Sequence, residues 1–453
     1  MQNKQNAYSL KRMEIKIHRG LEQIGGCITE ISTATSRVFI DMGQNLPGIG
    51  ESRLPEDDRQ MVERIFAQNQ KEHQAVFYTH THEDHIGLFW AVPEDVPQFI
   101  GEGGKEIMIA KYESIIEAIK LVNKANRLKL KNDEKPEQKS SEVESELVVP
   151  KHNALLQRLK GFNTWERPKP HAAPHSIEVG DIRITPFFCS HSAYDCYMLL
   201  IEADGKRIWH TGDFREHGYL GKGLMPTIKH YATDIDVLIT EGTMLDRHDE
   251  CIHEREISRK MAKIMEAFKY VVVLASSTNI ERLASIKEGA RIAKKDYYIS
   301  NKFMRKTMSI FTRREASNSK GLFDFHPKFV KFDANATMQK RGFVLIATAT
   351  QLANVQDICD DLDPSEVVLI YATWDGYYKD PEQVKANSRY KYFHDAFNNV
   401  VDIHTSGHAD RATLARVITA INPKESIIGI HKDPNASLKS LDISEELKEK
   451  VME

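Results

Sequence analysis

Alternating apolar and polar residues open the chain and predict short strands. Residues 15–18 and 37–41 follow the pattern of strands with a buried face. A helical period then covers residues 57–70, and the apolar run at residues 75–79 predicts a buried strand that ends in polar residues. The chain therefore begins with hairpins and continues as an α/β structure.

Helices and strands alternate over the rest of the chain, which predicts a second α/β unit inserted into the first. Strands are predicted outside the insertion at residues 182–189, 197–201, 207–210, 236–240, 400–404 and 426–430. Within it, helices are predicted at residues 254–269 and 280–294, and strands at 270–275, 297–300, 343–347 and 367–371. This order is typical of a mainly parallel sheet. The predicted domains are a first part at 1–243, an insertion at 244–398 and a second part at 399–453.

Composition narrows the class of protein without identifying it. A net charge of -3 argues against a protein that coats nucleic acid by charge alone. The five cysteines are scattered and form no CxxC pair, so neither a disulfide framework nor a cysteine zinc knuckle is indicated. Residues 131–146 are almost entirely polar and predict a solvated loop. With no apolar run that could span a bilayer, we expect a cytoplasmic enzyme with no membrane partner.

The strongest chemical signal is the run His80-Thr81-His82-Glu83-Asp84-His85, directly after the strand at residues 75–79. Residues two apart in an extended segment point the same way, so His80 and His82 can bind one ion, while the following turn directs Asp84 and His85 to a second. Nitrogen and carboxylate ligands favour two Zn²⁺ ions, with Mn²⁺ or iron also compatible. The alternative is a structural histidine cluster at a surface turn.

Two further polar residues follow predicted strands. His191 comes after residues 182–189, and Asp213 lies in the Thr-Gly-Asp turn after residues 207–210. The HxHxDH run, the lone histidine and this turn resemble the successive ligand motifs of the metallo-β-lactamase superfamily. That resemblance implies an αββα sandwich with its metals at one edge of two sheets.

Four more segments resemble the β-CASP nucleases, the branch of ribonuclease J and the cleavage-and-polyadenylation endonuclease. Residues 240–243 are similar to that family's motif A, 405–409 to motif B, 428–431 to motif C, and 275–282 to the opening of its inserted α/β domain. The resemblance covers nearly the whole chain. It implies one ion on His80, His82 and His191, a second on Asp84, His85 and His431, and Asp213 bridging both.

The resemblance also implies roles beyond metal binding. Asp41 would orient the metal loop, although a turn-capping Asp is the alternative. Asp84 would orient or deprotonate the water that two ions activate. His408 would contact the scissile phosphate and protonate the leaving oxygen while Glu241 holds its ring, unless it only caps a helix near Ala409. Ser406 and Ser276 are further candidate substrate contacts.

The predicted function is a zinc-dependent hydrolase that cuts RNA phosphodiester bonds, as an endonuclease, a 5' exonuclease or both. Single-stranded RNA is the expected partner, and the oligomeric state stays open. The basic, aromatic-rich residues 291–314 could bind a strand or form a solvated helix face. Residues 348–353 contain no glycine where ribonuclease J has its glycine-rich, 5'-phosphate-binding turn, and His431 is followed by Lys432-Asp433 rather than Gly-Glu. The alternatives are a DNA-directed nuclease of this fold, a hydrolase of small esters or thioesters, and a non-catalytic scaffold.

Overall fold

The computed structural model describes residues 7–10, 13–46, 55–132, 139–168, 174–247, 251–316, 320–330 and 335–452, and it confirms the α/β class. The first sheet has the strand order β1 (Ala7–Leu10), β2 (Met13–Arg19), β3 (Ile28–Ser32), β4 (Ser36–Ile40), β5 (His73–Tyr78), β6 (Gln98–Gly101) and β7 (Asn163–Trp165). The second contains β8 (Ile177–Val179), β9 (Ile182–Cys189), β10 (Cys196–Ala203), β11 (Lys206–His210), β12 (Val237–Glu241), β19 (Ser426–Ile430) and β20 (Val451–Met452).

Both sheets change from antiparallel to parallel pairing halfway across. Strands β1 to β4 are antiparallel and β4 to β7 are parallel. Likewise β8 to β11 are antiparallel, whereas β11, β12, β19 and β20 are parallel. Because parallel strands end at the same side of a sheet, residues that follow β5, β11, β12 and β19 are brought to one edge.

The two sheets pack face to face, with helices on both outer faces. Side chains such as Ile40, Phe77, Ile201 and Ile239 fill the space between the sheets. The outer face of the first sheet is covered by α1 (Pro55–Ala67), α3 (Glu102–Asn132) and α4 (Lys139–Lys160). The outer face of the second sheet is covered by α5 (Leu224–Tyr231), α14 (Arg411–Ile421) and α15 (Glu445–Glu449). The layers are therefore helix, sheet, sheet and helix.

A third sheet is parallel at every strand pair. Its order is β15 (Lys328–Phe329), β14 (Tyr297–Ile299), β16 (Phe343–Ala347), β13 (Tyr270–Leu274), β17 (Val367–Tyr371) and β18 (Val400–Asp402). One face packs against α6 (Glu254–Ala267), α7 (Ile280–Ile292) and α8 (Lys302–Glu315), and the other against α9 (Asn335–Arg341), α10 (Leu352–Cys359) and α13 (Arg389–Asp395). Burial on both faces explains the unbroken apolar strands. The sheet continues to Asp402, past the predicted boundary at residue 398.

The remaining helices are short: α2 (Glu83–Ile86), α11 (Gly376–Lys379) and α12 (Pro381–Ala386). Across the described ranges, no helix has the length and apolar character that a bilayer crossing requires.

The predicted loop at residues 131–146 is wrong in part. Helix α3 continues to Asn132 and α4 begins at Lys139, while residues 133–138 lie outside the described part of the chain. Lys and Glu are good helix formers, so a lack of apolar residues does not prevent a helix where its neighbours pack together, as α3 and α4 do.

Candidate metal centre

Three histidines converge where β5 and β9 end. The Nε2 atoms of His80 and His191 each lie 3.1 Å from Nδ1 of His82. His80 and His191 are buried, and all three rings offer a nitrogen within 4.8 Å of the others. The pKa of His80 lies well below its usual range, mainly because the ring is buried and secondly because other imidazoles are close to it. Burial lowers the pKa of His82 to about 4. Burial also holds the pKa of His191 well below its usual range, so the three rings are neutral at physiological pH, as metal binding requires.

A second group forms beside the first from Asp84, His85 and His431. Oδ2 of Asp84 is 3.1 Å from Nε2 of His431 and 3.8 Å from Nε2 of His85. Burial alone would raise the pKa of Asp84, but His85 and His431 outweigh it and lower the pKa to about 2. Asp84 therefore remains a carboxylate, which can accept a cation.

Asp213 lies between the two groups. Its Oδ2 atom is 3.1 Å from Nε2 of His85, 3.7 Å from Nε2 of His191 and of His431, and 3.8 Å from Nε2 of His80. Burial alone would raise the pKa of Asp213, but the adjacent His431 and His85 hold that pKa well below its usual range. One oxygen thus faces nitrogens from both groups.

The buried Nε2 atom of His85 tests whether these residues fit a metal. It makes no hydrogen bond within the described structure, despite lying 3.1 Å from Asp213 Oδ2. The short distance without hydrogen-bond geometry is expected when two ligand atoms point to a shared ion rather than to each other. Imidazole and carboxylate donors suit Zn²⁺. The residues therefore fit a pair of divalent ions.

Asp41 contacts the ring nitrogen of His85 that does not face the centre. Its Oδ2 atom lies 2.7 Å from Nδ1 of His85, and its Oδ1 atom accepts a 2.7 Å hydrogen bond from the Thr79 backbone N–H. This contact fixes the tautomer of His85 and directs Nε2 to the centre. Asp41 and His431 have φ angles of 64° and 50°, a left-handed conformation that costs energy for residues other than glycine.

His408 lies at the rim of the centre. Its Nδ1 atom is 2.8 Å from Oε2 of Glu241 and 3.7 Å from Oδ2 of Asp213. The side chain of His408 is 19% exposed, whereas those of His85, His191 and His431 are at most 2% exposed. Despite burial, Glu241 and then Asp213 raise the pKa of His408, so its protonated form is favoured.

The helix-cap alternative for His408 is wrong. Helix α14 begins at Arg411, and its cap is Asp410, whose side chain accepts a hydrogen bond from the Thr413 N–H. His408 lies outside this cap.

Three buried charges hold the loop that carries His408. Arg282 donates to the carbonyl of Thr405 at 3.3 Å, and Arg215 donates to that of Ser406 at 3.2 Å. Both guanidinium groups also contact the Glu254 carboxylate, at 3.1 and 3.2 Å. The third-sheet unit, which contributes Glu254 and Arg282, is thereby linked to the strand end that carries Asp213.

Replacing Glu254 with Gln should destabilise the protein by about 3–5 kcal/mol, because the buried Arg282 loses its counter-ion and Arg215 keeps only Glu281, at 3.7 Å. Guanidinium chloride unfolding would measure this change. The control is Glu288→Gln, which breaks an exposed pair with Arg291 and should cost less than about 1 kcal/mol. Equal losses in the two variants would contradict the buried network.

The contribution of Glu254 should also depend on pH. Burial would raise its pKa, but Arg282 and Arg215 lower it from 4.5 to about 2. A depressed carboxyl pKa stabilises the fold above pH 4.5, and this stabilisation is lost as the pH falls to 2. We expect the difference between wild type and Glu254→Gln to shrink by about 3 kcal/mol over that interval. A constant difference in unfolding free energy between pH 7 and pH 2 would contradict the linkage.

The two predicted serine contacts have different positions. The Ser406 hydroxyl accepts a 3.1 Å hydrogen bond from the His408 backbone N–H, so Ser406 lies beside the centre. Ser276 follows β13 and is exposed, and the described hydrogen bonds of its side chain are with Thr278. These bonds do not join Ser276 to the centre.

Cys27 and Thr243 were not predicted to contribute. The Thr243 hydroxyl is 2.7 Å from Nδ1 of His431 and 3.2 Å from Nδ1 of His408. Its position two residues after Glu241 in the Thr-Glu-Gly-Thr segment could have indicated that it lies near the centre. Cys27 forms a group with His85 and His431. Nothing local marks Cys27, because it is far from both histidines in sequence.

The basic segment at residues 291–314 is partly neutralised within the protein. Lys306 contacts Glu117 at 3.0 Å, and Arg314 contacts Glu106 at 2.8 Å, both across the interface between α8 and α3. Arg313 also contacts Glu106, at 2.6 Å. These pairs favour the structural alternative for α8 over a strand-binding surface.

Comparison with known proteins supports the fold but not a family. No family model matches the chain. A crystal structure of a protein of unknown function from Enterococcus faecalis V583 aligns with a TM-score of 0.65 and 17% sequence identity, over 95% of this chain and 95% of that one. At this identity the likeness shows a shared fold alone.

Proposed function

We propose that this protein is a two-metal phosphodiesterase that cuts RNA, of the β-CASP branch of the metallo-β-lactamase superfamily. The observation that carries the proposal is the convergence of two ligand groups on Oδ2 of Asp213, with nitrogens of both groups 3.1 to 3.8 Å away. The helix–sheet–sheet–helix layers and the parallel third sheet give further support, since the resemblance implies both.

Seven side chains would hold the metals: His80, His82 and His191 in one group, Asp84, His85 and His431 in the other, and Asp213 between them. Two bound divalent ions would supply water activation at neutral pH and neutralise charge on a phosphate. This choice of ions follows from the donors of these seven residues, which are imidazole nitrogens and carboxylate oxygens.

The chain's own residues would orient the substrate and move a proton. Glu241 contacts Nδ1 of His408, which leaves Nε2 as the nitrogen that can give a proton to the leaving oxygen. Although burial lowers it, Glu241 and then Asp213 raise the pKa of His408, which favours the protonated ring that this step needs. Asp84, held as a carboxylate, would orient the attacking water.

Endonucleolytic cleavage is favoured over 5' exonuclease action. In the turn after β16, the Thr348 backbone N–H donates to Oε1 of Gln351 at 3.0 Å, and Nε2 of Gln351 donates to Ser300 at 2.7 Å. These donors are committed to partners within the protein, whereas a 5'-phosphate pocket needs donors that can meet the ligand.

Incubation with 5'-phosphorylated, 5'-hydroxyl and circular RNA, and with matched DNA, would test the proposal. We expect the zinc-loaded protein to cut circular RNA and a double variant, Asp84→Ala with His85→Ala, to be inactive. Cleavage of DNA alone would favour the DNA-directed alternative. Equal activity of the double variant, or a native protein that binds no transition metal, would contradict the proposed centre.

A further inference from the structure

Cys27 lies against the second ligand group. It directly precedes β3, is 1% exposed, and its sulfur lies within 4.8 Å of ligand nitrogens of both His85 and His431. Its backbone is fixed to the same segment, because the Cys27 N–H donates to the Asp84 carbonyl at 2.9 Å. The thiol therefore belongs to the surroundings of the group formed by Asp84, His85 and His431.

The absence of a side chain at Gly20 leaves the space beside which the Cys27 sulfur lies. A Cβ atom at Gly20, where φ is 104°, would come within 3.1 Å of the Cys27 sulfur. The Gly20 carbonyl in turn accepts a 2.7 Å hydrogen bond from the His431 N–H. Glycine thus lets the thiol and His431 pack against the same turn.

A second observation points to a ligand here. Nε2 of His85 is buried and makes no hydrogen bond with any described residue. This atom and the cysteine sulfur belong to one residue cluster in which both side chains are buried. A buried polar atom without a hydrogen-bond partner lowers the stability of the fold unless an ion or a water molecule contacts it.

We propose that Cys27 is a further ligand of the ion held by Asp84, His85 and His431, an inference that rests on the proposed two-metal centre. On binding, the thiol releases its proton to solvent and a sulfur–metal bond forms, with no change of oxidation state. Thiolate favours zinc over manganese, so Cys27 would bias the second position toward Zn²⁺.

X-ray absorption of the zinc-loaded full chain tests this directly. We expect a sulfur neighbour at about 2.3 Å from zinc in the wild type. The cobalt-loaded protein should show a thiolate-to-cobalt charge-transfer band. Both signals should disappear in Cys27→Ser and persist in Cys196→Ser, whose target is also 1% exposed but belongs to none of the potential metal groups among the described residues.

The outcomes separate this inference from the proposed function. Two bound metals with only nitrogen and oxygen neighbours would overturn the role of Cys27 and leave the proposed function standing. Persistence of the sulfur signals in Cys27→Ser would also overturn it. A wild type that binds no metal would overturn both. If Cys27→Ser does not fold, Cys27→Ala and the wild-type spectra still decide the question.

Discussion

Replacing Asp213 with Ala is expected to reduce kcat/KM for phosphodiester cleavage by about 10³-fold or more. Metal ions contribute several kcal/mol to such reactions, and each 1.36 kcal/mol corresponds to a factor of ten in rate. Asp213 is the carboxylate that faces both ligand groups, so its loss should disturb both ions. Metal content per chain, measured by elemental analysis, should fall with activity.

Asp236→Ala is the matched control for Asp213. Asp236 is a buried carboxylate that accepts a 2.9 Å hydrogen bond from the Arg207 N–H, at the opposite end of β11 and β12 from the centre. This variant should retain two metals and its activity. If Asp213→Ala kept full metal content and wild-type turnover, a bridging role for Asp213 would be wrong.

Replacing His408 with Ala is expected to lower kcat by about 10²- to 10⁴-fold and leave metal content unchanged. The reason is that His408 lies at the rim, contacts Glu241 and is more exposed than the buried histidines of the centre. Its loss should remove a proton donor without removing a ligand. Single-turnover cleavage of an oligonucleotide, with metal analysis of the same sample, would measure both effects.

His394→Ala is the control for His408. His394 has a similar exposure, 24%, and contacts Asp395 at 3.0 Å on α13. Replacing His394 should change neither kcat nor the metal content. Loss of metal from His408→Ala would instead make His408 a ligand, whereas unchanged turnover would exclude it from proton transfer.

Much of the secondary structure was predictable because its signals are local. The run of buried residues in β13 and the helical period of α6 need only their own sequence to be recognised. The helix at residues 139–146 was missed because its polar sequence gives no apolar period, although its one Lys and three Glu residues are good helix formers.

The sequence by itself determined the local part of each half of the centre, two of the three residues in each. His80, His82, Asp84 and His85 occur within six residues, so strand alternation and one turn are sufficient to divide them between two directions. The same local logic places Asp213 and His431 just after strands.

Only the tertiary structure decided which distant residues meet. It brings Cys27 beside His85 and His431, places Thr243 between His408 and His431, and gives Ser276 other partners. It also pairs the basic residues of α8 with acidic residues of α3. Such contacts depend on strand order and sheet packing, which bring together residues from separate parts of the chain, and no local pattern encodes that order.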